Sequence, residues 1–463
     1  MILPLRRHPP HPPLPPVAKK NQKNANNRSA GDDESFSDFP LPLASLLTAA
    51  PMLEQSRVAI IGCGPAGLMA ATQLARSGIS VTLFDAMPKA GRKFLVAGKG
   101  GLNLSNAEAM ATFPQRYGAV SSRFSDYLAS FSPADLRLFL ESLGVATFVG
   151  SSGRIFPREE TAAAILKRWL DMLAKLGVHF RFRHRWQDLD PANQPLFASP
   201  SAPSQRFPCQ ALLLALGGAS WPQTGSDGGW IPILARRGVE ITPFAPANFG
   251  IEVAWSEYFR NGFAGRPLKN LLLRCGEQTV SGEALITRHG LEGGGIYLLG
   301  PSIRAALASG GQALLHLDLK RDLPLARVRE KLTAPARGES LANLLRKRLR
   351  LSGPVYSLLR ECAPAEALHA PDRLAEQIKN LAVPVKATRP LSEAISSAGG
   401  IAFTEVDAHL MLTRLPGVFV AGEMLDWEAP TGGYLLQGAF STGHYAANGI
   451  KRWLERRIGM GKA

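Results

Sequence analysis

The stretch Arg57-Val-Ala-Ile-Ile-Gly-Cys-Gly-Pro-Ala-Gly67 decides the fold. Arg57 to Ile61 reads as a buried strand, because a strand covered on both faces loses polar–apolar alternation. Gly62-x-Gly64-x-x-Gly67 follows, and then Leu68, Ala71, Thr72 and Ala75 share one face of a helix running to Arg76. Gly78 ends that helix. Ser80-Val-Thr-Leu-Phe84 is the next strand, with Asp85 at its carboxyl end. The order predicts a βαβ unit. In such a unit Gly62 permits the tight turn, Gly64 lets backbone approach a pyrophosphate, and Gly67 lets helix and strand pack closely. The helix N-terminus adds free N–H groups and a positive dipole end. We expect Gly62, Gly64, Pro65, Ala66 and Gly67 to hold phosphates. Asp85, 23 residues past Gly62, stands with Ala86 where a carboxylate accepts from adenosine ribose hydroxyls, which disfavours NADP as the ligand.

Far downstream, after a Leu415-Pro416 turn, Gly417-Val-Phe-Val-Ala-Gly-Glu423 is a second short apolar run ending in Gly-Glu. In two-dinucleotide-fold flavoproteins a strand ending this way sets its carboxylate on the ribityl chain. The pair of motifs therefore predicts FAD, with Gly422 and Glu423 as contacts. Thr431-Gly-Gly-Tyr434 opens the last helix. Gly432 and Gly433 allow close backbone approach, and the helix end favours negative charge on a reduced flavin's pyrimidine edge. Tyr434 and Gln437 lie three apart and share a face, which we expect to line the flavin or the substrate. Between Gly91 and Asn106, Gly98, Gly100 and Gly101 bring backbone near a ligand, and Lys99 is placed to neutralise phosphate or flavin charge. Asn103 joins this wall. Lys99 and Tyr434 are the catalytic candidates, Tyr434 as proton donor.

The chain has 463 residues, 45% of them hydrophobic, enough to build two or three domains. Cys63, Cys209, Cys275 and Cys362 lie far apart without a C-x-x-C, so neither a disulfide framework nor a zinc site is expected. A reducing cytoplasm is the expected location. The histidines show no ligand spacing, and we expect no metal. No His/Asp/Ser constellation points to hydrolysis. No apolar run approaches membrane-spanning length, and Met1-Ile-Leu-Pro-Leu-Arg-Arg7 lacks the apolar core of a signal peptide. The net charge of +16 permits nucleic acid, an anionic membrane or acidic substrates as partners. Lys320 to Arg350 carries ten Lys/Arg against three Asp/Glu, and Lys451, Arg452, Arg456, Arg457 and Lys462 add to the excess. No aromatic residue interleaves the 320–350 charges, which argues against a single-strand stacking platform. A small-molecule substrate is the expectation.

Residues 1–51 are Pro-rich, then Lys/Asn-rich, then acidic, and should be a disordered tail. Met52 stands just before the first strand, so the tail reads as an upstream extension; N-terminal sequencing that found Met1 on the mature protein would overturn this. Residues 52–238 form the first part of the nucleotide domain. Within it Ser132-Pro133 starts one helix and Thr161 to Leu176 forms another, followed by strands at Val178 to Arg181 and Ala211 to Leu216. Short alternating segments over 239–320 predict a small β region, with Gly293-Gly-Gly295 as a turn. Residues 321–384 are helical, and 385–463 return to complete the nucleotide domain. The fold class is α/β, with a Rossmann-like FAD domain built from both chain ends.

Taken together, the chain resembles the BaiN/YhiN-type NAD(P)/FAD-dependent oxidoreductases. The strings that carry this are Gly91-Arg-Lys with Ala97-Gly-Lys-Gly-Gly-Leu-Asn103, Gly153-Arg-Ile-Phe-Pro157, Ala215-Leu-Gly-Gly-Ala-Ser220, Ala398-Gly-Gly400, and Ala421-Gly-Glu-Met-Leu-Asp426 with Thr431-Gly-Gly-Tyr434. The resemblance covers Arg57 to about Gly449. It implies FAD contacts at Gly62 to Gly67, Asp85, Arg92, Lys93, Asn103, Glu423 and Gly433-Tyr434. It also implies a β-barrel-like insert followed by a small helical insert. One departure stands out: many members carry Gly-Gly-Gly-Arg-Cys-Asn where this chain has Gly98-Lys-Gly-Gly-Leu-Asn103. The expected activity is an FAD-dependent reduction driven by NAD(P)H, acting on a small organic substrate such as an activated C=C bond. Two alternatives stay open: a tRNA-handling flavoprotein, since the chain is basic, and a flavin redox sensor without turnover.

Overall fold

The computed structural model describes residues 57–310, 313–333 and 339–460, without the side chains of Lys99 and residues 458–460. The Pro-rich segment 1–51, Met52 and Lys462 lie outside the described residues. Strand β1 (Val58–Ile61) is buried along its whole length. Helix α1 (Pro65–Arg76) starts with proline, whose missing N–H costs nothing at a first turn. Strand β2 (Val81–Asp85), helix α2 (Arg92–Ala97), strands β3 (His179–Phe182), β4 (Ala211–Leu214) and β5 (Val418–Val420), and helix α3 (Tyr434–Met460) complete the frame. The sheet runs β5-β4-β1-β2-β3, and every pairing is parallel. Leu212, Leu213 and Leu214 sit opposite Val418, Phe419 and Val420. Both ends of the chain thus meet in one sheet, as the two apolar runs predict.

Local signals set the surrounding helices. Ser132 accepts from the Asp135 N–H while Asp135 accepts from the Ser132 N–H, a reciprocal cap that opens the helix Pro133–Ser142. The Thr161 hydroxyl caps Ala162–Lys175 in the same sense. That helix buries Trp169, whose indole donates to Thr72 on α1 at 2.8 Å. Helix α3 crosses α1 at close range: a Cβ on Gly443 would fall on the Ala66 carbonyl. The absence of a side chain at Gly443 lets the two helices come this close.

A second core belongs to residues 249–394. Seven strands form one sheet in the order 381–385, 313–318, 267–275, 278–286, 290–292, 251–252 and 387–388. No closed barrel forms among the described residues; the barrel-like insert is one antiparallel sheet. The two edge strands, Leu381–Val385 and Ala387–Thr388, are consecutive in the chain with only Lys386 between them. They pair with different partners and not with each other. The sheet curls, and backbone rather than a hydrogen-bond ladder spans the seam. The Gly293 to Gly295 run also differs from the turn expected: the helix Gly294–Leu298 begins there. A Cβ on Gly282 would stand 3.0 Å from the Gly295 Cα, so these glycines let the helix press onto the strand. The helices Leu325–Leu332, Leu341–Leu349, Pro354–Cys362 and Pro371–Lys379 bury Val328, Leu345, Leu358 and Ile378 in this core. Each such side chain contributes about 1.5–3 kcal/mol.

Candidate functional site

A cavity of about 610 Å³ opens past the carboxyl ends of the five parallel strands. That is where open α/β sheets bind ligands, because the loops there diverge to either side of the switch in strand order. The β1–α1 turn forms its floor. Gly62 has φ +109°, and a Cβ there would fall on the Ala215 carbonyl oxygen of the next strand. A Cβ on Gly67 would fall on the Gly62 carbonyl. Gly64 differs: it lines the cavity, and a Cβ on it would meet nothing within 4 Å. The protein therefore needs Gly62 and Gly67 for its own packing and leaves the space above Gly64 to a ligand. No side chain caps α1, and no acidic residue sits in its first turn. Its N-terminus is suited to a diphosphate.

On one side of this turn lies Asp85. Its carboxylate accepts from the Cys63 N–H and the Met87 N–H, both at 2.8 Å. Burial pushes the Asp85 carboxyl up, against the two N–H donors and the Arg92 charge, which pull it down. Ala86 and Arg92 stand on the same wall. Beyond Asp85 the wall continues through His184, Arg185 and Trp186.

On the other side, past β5, Glu423 accepts from the Lys93 ammonium at 2.7 Å and from the Ser397 N–H at 2.8 Å. Lys93 also donates to the Ser220 hydroxyl at 2.6 Å. Both Lys93 and Glu423 line the cavity, with Gly422 beside them. Gly432 and Gly433, at φ +117° and +101°, bring backbone to the cavity where α3 begins. A Cβ on Gly433 would fall on the Ser105 backbone, so the 103–106 segment is clipped against this turn. In the amide orientation that satisfies both neighbours, Asn103 accepts from the Gly433 N–H at 3.0 Å and donates to the Ser105 carbonyl at 2.9 Å.

The structure gathers Gly62, Gly64, Pro65, Ala66, Asp85, Ala86, Arg92, Lys93, Gly101, Asn103, Gly422, Glu423, Gly432 and Gly433 around one cavity. Gly67 packs behind it, and Gly100 is exposed and off the wall. The backbone of Lys99 sits in the turn Gly98–Gly100, while its side chain lies outside the described residues. Tyr434 and Gln437 do share a face, but it meets the 105–131 segment. The Tyr434 hydroxyl donates to Glu108 at 2.7 Å, and Gln437 bonds Ser105, the Phe131 carbonyl and Ser441. Leu435, Leu436 and Ala439 take the cavity side of α3 instead. A helical face was legible from spacing; which neighbour it meets was not. Sequence reasoning also missed Trp186 and the 221–230 segment on the wall. Trp186 lies in the strand Arg185–Leu189, and for the 221–230 segment the one available signal was the turn chemistry of Trp221-Pro-Gln-Thr-Gly225.

Comparison with known proteins fits this geometry. The HI0933-like protein Rossmann domain matches residues 56–449. A 3-dehydro-bile acid delta(4,6)-reductase of Clostridium scindens is 28% identical over 407 residues, covering 84% of this chain and 98% of that protein. A ribosomal RNA dihydrouridine synthase of Haemophilus influenzae is 24% identical over 414 residues, covering 87% and 100%. Among solved structures, the 3-ketosteroid delta1-dehydrogenase of Sterolibacterium denitrificans shares the fold at 13% identity and a TM-score of 0.50, covering 86% of this chain and 100% of that one. No helix among the described residues is long and apolar enough to cross a membrane. With a dinucleotide turn, a cavity left open above Gly64 and both chain ends joined in one sheet, the chain belongs to the HI0933-like family and is an FAD-dependent oxidoreductase.

Proposed function

We propose that this enzyme uses NAD(P)H to saturate a carbon–carbon double bond conjugated to a carbonyl in a small organic substrate. The FAD contacts would be the β1–α1 turn for the pyrophosphate, Asp85 for the adenosine ribose, Lys93 and Glu423 for the ribityl chain, and Gly432–Gly433 for the flavin. The observation that carries the reading is the end of the cavity where α3 begins. Two positive-φ glycines present backbone there at a helix N-terminus, and Val96, Trp427, Leu435, Leu436 and Ala439 add apolar lining. Such a pocket excludes water and favours negative charge at one edge. When bound, FAD supplies two-electron chemistry, taking a hydride from a nicotinamide and giving it to an electron-poor carbon. The Clostridium scindens relative is named a delta(4,6)-reductase and the Haemophilus influenzae one a dihydrouridine synthase, and both names fit saturation of a ring double bond. The carbonyl-conjugated carbon then needs one proton.

Leu102 is buried and brings no acid where many members carry cysteine. Burial and the neighbouring Glu108 push the Tyr434 phenol up to about 12, and the phenol points at Glu108. Tyr434 is off the cavity wall and its hydroxyl is held by Glu108, so Tyr434→Phe should retain turnover. The test of the whole reading is an anaerobic stopped-flow experiment with NADH and NADPH, followed by a panel of cyclic enones. Reduced enzyme that is reoxidised by dioxygen but by no enone would refute the substrate class.

A second reading, reduction of a uracil in RNA, draws on the ribosomal RNA relative and the charge of +16. Ion pairs offset part of the basic 320–350 stretch: Arg327 with Glu330, Arg329 with Glu376, and Lys347 and Arg348 with Glu339. That favours the small substrate. RNA affinity that falls steeply between low and moderate salt would reverse the preference.

A further inference from the structure

The turn at Gly432–Gly433 is held from two sides. On one side is the nucleotide domain: the Asn106 amide donates to the Gly432 carbonyl at 3.2 Å, and Asn103 accepts from the Gly433 N–H. On the other is the second core. The chain enters that core along Ile241–Ala247 and leaves it along Ser396–Ile401, and these two strands pair antiparallel as a ribbon. Asn248 stands at the core end of the ribbon, 5% exposed. Its amide nitrogen donates to the Ser396 hydroxyl at 2.9 Å and to the Ala429 carbonyl at 2.8 Å. Its amide oxygen accepts from the Thr431 N–H at 3.1 Å.

A second tie reaches the same loop. Arg304, on the helix Gly300–Ala308 of the second core, donates to the Glu428 carboxylate at 2.6 Å and to the Pro246 carbonyl at 2.9 Å. Among the described residues, every side-chain hydrogen bond to residues 428–431 comes from Asn248 or Arg304. Those residues run straight into the turn, and Thr431, Gly432 and Gly433 all line the cavity. The Asn248 φ of +54° lies in the left-handed region, which asparagine adopts more readily than most side chains. A buried amide with three partners is costly to leave unpaired, so the loop and the second core move together.

We propose that Asn248 is a positioning residue for the redox reaction: with Arg304, it lets the second core set where the Thr431–Gly433 backbone meets the flavin. The proposal rests on the reading above that puts the flavin at this turn. Backbone N–H groups at a helix N-terminus favour the negative charge that a flavin gains on reduction. A loop released from the second core lets those groups drift, and the flavin becomes harder to reduce. Asn248 and Arg304 act on the flavin without touching it, since neither lines the cavity.

The experiment equilibrates the FAD-loaded full-length protein with a redox dye under anaerobic conditions and records absorbance. Asn248→Gly suits the left-handed φ and removes all three bonds; Glu428→Ala breaks the second tie. Leu358→Ala is the control, truncating a buried side chain of the second core on the helix Pro354–Cys362. At the potential where the wild type is half reduced, the reduced-to-oxidised ratio of Asn248→Gly should fall about fivefold, the scale of one charge at a helix end. Glu428→Ala should shift the same way, and Leu358→Ala should keep the wild-type ratio. A ratio within twofold of wild type in Asn248→Gly overturns the proposal. So does an equal fall in Leu358→Ala, which would mean general loosening. If Asn248→Gly does not fold, a wild-type ratio in Glu428→Ala overturns it instead. Leu436→Ala, on the cavity wall beside the turn, tests the reading underneath. If it leaves the bound flavin's spectrum unmoved, the flavin does not lie at this turn and both fail. If it moves the spectrum while Asn248→Gly keeps the wild-type ratio, the proposal alone fails.

Discussion

Alanine at Gly64 and at Gly67 should have opposite consequences, although the two glycines lie three residues apart. At Gly67 the new Cβ would fall on the Gly62 carbonyl, well inside the 3.0 Å that real Cβ atoms essentially never show. The obstacle is backbone, not the end of a flexible side chain, so the turn itself must move. We expect a loss of about 3 kcal/mol or more, the upper end for overpacking. At Gly64 the backbone is extended (φ −85°, ψ −178°), and a Cβ would meet nothing within 4 Å. Alanine loses a few tenths to about 1 kcal/mol at an N-cap and regains about 0.4–1 kcal/mol from a stiffer unfolded chain. Stability of the cofactor-free protein should therefore stay within about 0.5 kcal/mol of wild type. The methyl instead stands where a pyrophosphate would approach, and FAD affinity should fall at least tenfold, about 1.4 kcal/mol. Urea unfolding of the cofactor-free proteins and FAD titration separate the two effects. The reasoning is refuted if Gly64→Ala destabilises as much as Gly67→Ala, or if Gly64→Ala binds FAD within twofold of wild type.

Three further outcomes are expected. In a double-mutant cycle, Lys93→Met and Glu423→Gln should show a coupling of about 1 kcal/mol in stability, since the pair is partly exposed; strictly additive effects would mean that the 2.7 Å contact contributes nothing. Hydrogen bonding from Arg116 holds the Glu108 carboxyl below its ordinary value. Its stabilisation is thus complete above the usual carboxylate range of about 4.3 and lost as pH falls through the lowered value, and Glu108→Gln should flatten that limb of the stability–pH curve. Gln437→Leu removes three bonds from a fully buried side chain and should cost about 2–3 kcal/mol in chemical denaturation while the bound flavin's absorbance keeps its shape; a shifted flavin spectrum would return Gln437 to the cofactor.

What the sequence makes legible is what a few neighbouring residues decide. The Gly62 to Gly67 turn, the strand ending at Asp85 and the Ser132 cap each depend on contacts within one motif, and each stands where the residues put it. Strand order depends on pairings between distant segments, and no local pattern says that β4 should lie between β1 and β5. The same holds at α3. Three-residue spacing puts Tyr434 and Gln437 on one face, but only the packed 105–131 segment shows that this face meets Glu108 and Phe131 rather than the cavity.

The long-range pairing of β4 with β5 has a consequence during synthesis. The ribosome finishes β4 about 200 residues before it reaches Val418, an interval of about 10–40 s at ordinary elongation rates. Through that interval the β4 edge has no partner, while the second core, residues 249–394, is being made. Glu423 follows β5 by only three residues. The last strand to be made therefore closes the exposed edge and brings Glu423 to the cavity in one event, and a nascent chain that stalls short of it has neither.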